Sequence, residues 1–270
     1  MANKKIGFYG KLESTGFYGK LESTANNKAE NLYIIVNKTS IVFVVKHIVK
    51  NEFVSIEHFA QTEESSSWSP LLAYLQNNSS LLQNYYKDIF LVMNGNRLIL
   101  SQTDAKDDLI AAAHELELVH GHKLDEEIYT SAVGKKHFLI YGIADELIAI
   151  LNRYFPSGKW QHYASYFLDN VIDNEVQVRI FEDCFIVYIV EKGITKLLNY
   201  YPIEGEDQNI YTLLNSCINA GIDTNTFLLK VWGYEEGKHS FITKASPYFA
   251  AKQIIQIEQV PNAYSSYFIF

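Results

Sequence analysis

One order of apolar runs and polar turns occurs twice in this chain. Leu32 to Val36 is an apolar run, Asn37-Lys38-Thr39-Ser40 a polar turn, and Ile41 to Val49 a second run. Lys50-Asn51 turns again into a third run through Phe53, Val54 and Ile56 to Phe59. Short β-branched and aromatic runs parted by tight polar turns predict a three-stranded meander. A Ser-rich stretch then leads to Ser69-Pro70, with Pro placed at the first helical position. Leu71, Leu72 and Leu75 give that helix its apolar face, Asn77 to Ser80 breaks it, and Ile89 to Met93 returns as a strand. Later, Val176, Val178 and Ile180 alternate with Gln177 and Arg179, which predicts a strand with one buried face. Glu182-Asp183 turns into Phe185 to Val190, and Glu191-Lys192-Gly193 turns into Ile194 to Tyr201. Ile210, Leu213, Leu214, Cys217 and Ile218 have helical spacing, Gly221 ends that helix, and Phe227 to Trp232 is the returning strand. Matching strands lie about 145 residues apart, counting from Asn31 to Val176.

Each half needs a further helix and strand to cover its sheet. In the first, Asp104 opens a helix bearing Leu109, Ile110, Ala113 and Leu116, and Phe138 to Tyr141 reads as a strand. Leu147, Ile148, Leu151 and Tyr154 mark another helix that stops before Pro156. In the second, Phe241 to Ala251 reads as a helix and Ile254 to Ile257 as the closing strand. The expected fold class is α/β: two lobes, each a β-β-β-α-β-α-β mixed sheet flanked by helices, facing each other across a cleft. Residues 31–163 form the first lobe in this reading and 164–270 the second.

Residues 7–15 and 16–24 are the same nonapeptide, GFYGKLEST. Two copies fall short of a solenoid, so residues 1–30 are expected to be a flexible leader. The net charge of −8 and the lack of a Lys/Arg cluster argue against a nucleic-acid partner. No apolar run is long enough to enter a bilayer as a spanning helix. Cys184 and Cys217 have no motif partner and read as free thiols, which fits a cytoplasmic protein.

A repeated β-β-β-α-β-α-β unit resembles the plan of the actin-like ATPase fold, also called ribonuclease H-like. Residues 31–258 resemble an uncharacterised Bacteroidota family, a domain of unknown function to which this fold is assigned. The resemblance lies in HFLIYGIADELIAILNRYFP (137–156) and VQVRIFEDCFIVYIVEKGITKLLNYY (176–201). It implies a fold and not a chemistry. Active members of the fold carry an Asp and glycines in the first hairpin turn of each lobe. The glycines let backbone N–H groups approach the phosphates, and the Asp helps hold Mg²⁺. Here the first turn, Asn37 to Ser40, has neither, and the second, Phe181 to Phe185, has acids but no Gly. The strand of the adenosine contact, which usually ends in paired Gly, ends Val231-Trp232-Gly233-Tyr234. The nucleotide site therefore reads as degenerate.

His114, Glu115, Glu117, His120 and His122 invite a metal reading. A zinc-protease helix needs its second His four residues after the first, and position 118 is Leu. Asp104, Asp107 and Asp108 suit a helix N-terminus, and Asp125-Glu126-Glu127 a solvated turn. No G-x-S-x-G elbow, P-loop or G-x-G-x-x-G is present. The last residues, Tyr264 to Phe270, are apolar enough to be packed into a lobe, or else to dock on a partner. No residue is assigned as catalytic or metal-binding, and no cofactor is expected. Two functions stay open. One is a catalytically inactive binding or scaffold component with a protein partner and an unassigned oligomeric state. The other is a diverged ATP-dependent kinase- or ATPase-like enzyme using the interlobe cleft. In the second, Asn37, Lys38, Thr39, Asp183 and Gly233 would face the ligand, with Lys38 or Thr39 near a phosphate and Asp183 near a metal.

Overall fold

The computed structural model describes residues 4–10, 29–60, 68–69, 72–73, 75, 79–101, 108–133, 137–168, 174–257, 260 and 262–268. The chain divides into two compact units, 1–165 and 166–270.

In the first unit the meander forms as its β-branched runs dictate: β2 (Glu30–Val36), β3 (Ser40–His47) and β4 (Glu52–Ala60) pair antiparallel in sequence. Ser69, Leu72, Ala73 and Leu75 are helical, and β5 (Asp88–Met93) then returns parallel to β2. The parallel edge strand is β9 (Lys159–His162), and with β1 (Lys4–Gly10) at the opposite edge the order is β1-β4-β3-β2-β5-β9. β1 (Lys4–Gly10) adds antiparallel to β4, from Lys4 opposite Ala60 to Gly10 opposite Ser55. Residues 4–10, expected to belong to a flexible leader, are thus an edge strand that includes the first GFYG. The second copy of the repeat lies outside the described residues. β2 and β3 are buried on both faces, as central strands covered from two sides must be.

The segment between β5 and β9 departs from the expected plan. β6 (Leu98–Ser101), β7 (Glu126–Val133) and β8 (His137–Ala144) form a separate antiparallel sheet in the order β6-β8-β7. Helix α1 (Leu109–His120) packs on it through Ala112 and Leu116, against Ile140. Phe138 to Tyr141 is therefore a strand, but of this inserted sheet and not the closing strand of the lobe. Asp108 caps α1 by accepting from the Ala111 N–H at 2.9 Å; Asp104 and Asp107 lie outside the described residues. Glu126 is not a solvated turn residue. Its carboxylate takes the Arg97 Nε at 2.8 and 2.6 Å, while Arg97 Nη2 also donates to the Gly121 carbonyl at 3.0 Å, at the end of α1. Gly142, opposite Ile128, leaves room for this carboxylate: a Cβ there would lie 2.4 Å from Glu126 Oε2. Helix α2 (Asp145–Tyr154), with Leu147, Ile148 and Leu151 buried, leads back to β9.

The second unit repeats the plan without the insertion. β10 (Glu175–Ile180), β11 (Cys184–Glu191) and β12 (Ile194–Pro202) form the meander, and β13 (Leu228–Trp232) and β14 (Ala251–Ile254) are parallel to β10. The order is β12-β11-β10-β13-β14, matching β4-β3-β2-β5-β9 strand for strand. α3 (Glu206–Asn219) and α4 (Ser240–Ala245) close one face: Leu213, Cys217, Phe241, Ile242 and Ala245 share a core with Val176, Val178, Ile180, Phe185, Val187 and Leu229. The predicted 241–251 helix is shorter. It ends at Ala245, runs into a 3-10 turn at Ser246–Tyr248 that contains Pro247, and leaves 251–254 free to be the closing strand. β10 has no solvated face. Glu175, Gln177 and Arg179 are buried too, because Glu175 is paired with Lys230 and the Arg179 guanidinium lies 4.0 Å over the Trp232 ring.

Candidate functional site

In an open α/β sheet, ligands bind beyond the carboxyl ends of the strands, where neighbouring connections run in opposite directions. In the first unit that point lies between β2 and β5, and in the second between β10 and β13. The hairpin turn beside each has the same closure: Asn37 N–H donates to the Ser40 carbonyl and Phe181 N–H to the Cys184 carbonyl, each at 2.9 Å.

In the first unit the two strand ends are stitched together by side chains. Asn94, just after β5, donates from Nδ2 to Asn37 Oδ1 at 2.7 Å, and Asn37 Nδ2 donates to Ser40 Oγ at 2.9 Å. The Asn94 N–H adds a bond of 2.9 Å to the Val36 carbonyl. Asn37, Ser40 and Asn94 are all buried, whereas Lys38 projects into solvent and Thr39 is half-buried. His162, at the end of β9, borders this network. Its Nδ1 accepts the Ala164 N–H at 3.1 Å and its Nε2 lies 3.1 Å from the Gly95 carbonyl, which it serves as donor. Both bonds fit the neutral ring, and burial pushes its pKa down to about 3.

In the second unit the strand ends are stitched by another segment. Asn262–Tyr267 is a 3-10 turn in which Tyr264, Ser265, Ser266 and Tyr267 are buried. The Gly233 N–H donates to Ser265 Oγ at 2.7 Å, and Ser266 Oγ donates to the Ile180 carbonyl at 2.8 Å. Gly233 has φ +75°, and a Cβ on it would lie 2.3 Å from the Ile180 oxygen and 2.6 Å from Ser266 Oγ. Tyr267 meets Phe181 edge to face, with ring centroids 5.2 Å apart. Asp183 is half-buried in the turn, and its carbonyl accepts the Ile203 N–H at 2.9 Å. Burial, with Asp183 alongside, raises the Cys184 thiol, and burial pushes Cys217 up to about 12. Both cysteines are free.

The candidate residues thus fall into two groups, Asn37, Lys38 and Thr39 in one unit and Asp183 and Gly233 in the other. Sequence reasoning missed Asn94, Ser265 and Ser266. The histidines of α1 make separate contacts: His122 Nδ1 lies 2.5 Å from Glu117 Oε1, and His120 Nε2 donates to the Leu98 carbonyl at 2.9 Å. Among the described residues no three His, Cys, Asp or Glu side chains gather where they could hold a metal ion.

A family of proteins of unknown function, DUF3822, matches residues 20–251. The chain belongs to that family. This DUF3822 chain is similar to a Bacteroides thetaiotaomicron VPI-5482 protein with an actin-like ATPase fold and unknown function. The two are 15% identical, at a TM-score of 0.74 over 89% of this chain and 96% of that one. More distant likenesses are the cytoplasmic domain of EpsL, an inner membrane component of the type II secretion system of Vibrio cholerae, and the ethanolamine utilization protein EutJ of Carboxydothermus hydrogenoformans. EpsL is 10% identical with a TM-score of 0.46, covering 86% of each chain. EutJ is 10% identical with a TM-score of 0.45, covering 89% of this chain and 88% of that one. No curated protein matches the sequence. The DUF3822 chain has the actin-like ATPase fold, and the likeness at these identities speaks to fold alone. Among the described residues no helix is long and apolar enough to cross a membrane.

Proposed function

We propose that this protein is a catalytically silent member of the actin-like fold that acts by binding, as a component of a cytoplasmic protein assembly. The observation that carries this reading is the state of the two switch points. A phosphate cradle needs backbone N–H groups turned outward and unshielded by Cβ atoms. The Asn37 N–H is spent on Ser40, the Phe181 N–H on Cys184 and the Gly233 N–H on Ser265. Neither hairpin turn carries a glycine to relieve this. Asp183 and Glu182 place negative charge at the second turn, which opposes a triphosphate.

The test is thermal unfolding with and without millimolar Mg·ATP or Mg·ADP. A ligand of the folded state at 100 times its dissociation constant stabilises by about 2.7 kcal/mol, a shift of several degrees. The reading predicts no shift and no phosphate release. A shift abolished by Asp183→Ala would favour the alternative, a diverged ATP-dependent enzyme.

A further inference from the structure

Within the second unit, the segment 262–268 packs on the strand ends through both its hydroxyl and its aromatic side chains. Its two hydroxyls satisfy backbone groups at the ends of β10 and β13, the Ile180 carbonyl and the Gly233 N–H. Its aromatic rings, Tyr264, Tyr267 and Phe268, are buried, with Tyr267 edge to face with Phe181 and beside Tyr264. The approach is possible because position 233 has no Cβ. The two hydroxyl bonds to backbone fix the position of the segment, and the buried aromatic rings serve as anchors, as buried aromatic side chains do in protein recognition. The place is also the switch point of the sheet, where this architecture receives ligands.

We infer that the crevice between the ends of β10 and β13 is a peptide-binding site, filled in cis by residues 262–268. Its ligand class is a short segment carrying two adjacent small hydroxyl residues between aromatic ones, as in Tyr264-Ser265-Ser266-Tyr267-Phe268. This rests on the reading of the protein as a binding component and names the kind of ligand it takes. Held on the same chain, the segment competes at an effective concentration on the order of millimolar. A peptide in trans therefore binds with an affinity reduced by the fraction of molecules whose crevice is vacant.

Two measurements on the full chain test this. In native-state hydrogen exchange, the Gly233 amide, just beyond β13, should exchange through a local opening, faster than the Leu229 amide within β13, and Ser265→Ala should speed Gly233 without moving Leu229. Exchange of both amides through one common opening, unchanged by Ser265→Ala, would overturn the inference, because the segment would then be core and not a ligand. In the second, a fluorescent peptide of residues 260–270 is titrated into wild type and into the Ser265→Glu/Ser266→Glu variant, whose charges cannot be buried in the crevice. The variant should bind the peptide about tenfold or more tightly than wild type. Equal affinity, or none for either, would overturn it; should the variant fail to fold, the exchange result decides. Neither measurement involves nucleotide, so Mg·ATP binding would sink the silent reading without deciding this one.

Discussion

Replacing Gly233 by alanine should be among the most damaging single changes in the second unit. The residue sits at φ +75°, where a Cβ costs about 1 kcal/mol or somewhat more. The larger part is the contact. The new methyl would lie 2.3 Å from the Ile180 oxygen, a backbone atom at the end of β10, and 2.6 Å from Ser266 Oγ. The strand cannot retreat without losing its ladder, so Ser266 must move. The bonds Ser266 Oγ to Ile180 and Gly233 N–H to Ser265 Oγ then go, at about 1 kcal/mol each. Together with the backbone cost, these come to about 3 kcal/mol. Gly193→Ala is the control: φ is +70°, but nothing lies within 4 Å of its Cβ, so only the backbone cost of about 1 kcal/mol applies. Urea unfolding, with hydrogen exchange of the Val178 and Leu229 amides to isolate the second unit, measures both variants. Equal costs for the two substitutions would refute the close approach of the 262–268 segment.

Burial holds the His58 pKa down to about 4 and that of His162 down to about 3, below the ordinary 6.5. Both rings stay neutral in the folded state while the unfolded chain takes up protons below pH 6.5. Stability is therefore full above that pH and falls by about 1.4 kcal/mol per pH unit for each histidine as pH drops towards 4. Urea midpoints at pH 7 and pH 5 check this, and His162→Gln should flatten the slope. Glu57 is fully buried and accepts from the Ser80 N–H at 3.2 Å and Ser80 Oγ at 2.8 Å, with Ser79 Oγ also donating to it. Glu57→Ala strands these donors and should cost about 3 kcal/mol in the same assay. Gly142→Ala should displace the Glu126 carboxylate from Arg97 and speed amide exchange in the inserted sheet, with β2 and β3 unaffected.

The two meanders and the first parallel strand after each, β5 and β13, were legible because their residues are β-branched or aromatic in runs that only a covered sheet can bury, whereas the closing strand was placed at 254–257 and lies at Ala251–Ile254. β9 was not, since Lys159-Trp160-Gln161-His162 contains no apolar run, and Phe138 to Tyr141 offered a stronger strand signal in the wrong sheet. Alternation in β10 suggested solvent on one face, but pairing with Lys230 and Trp232 lets Glu175 and Arg179 be buried. The partners of Ser265 and Ser266 could not be read at all. They are backbone atoms of Ile180 and Gly233, which leave no mark on the sequence except a glycine after a strand. The apolar character of 264–268 did point to burial, though not to the place.

Amide NMR during a titration with Mg·ADP decides whether both switch points are closed by the protein's own groups. The signals of Asn37, Phe181 and Gly233 report the three N–H groups in question. With both points closed, none of these signals moves up to millimolar nucleotide. Saturable shifts at Gly233 and either turn would contradict it and place a nucleotide where Ser265 and Asn94 now bond.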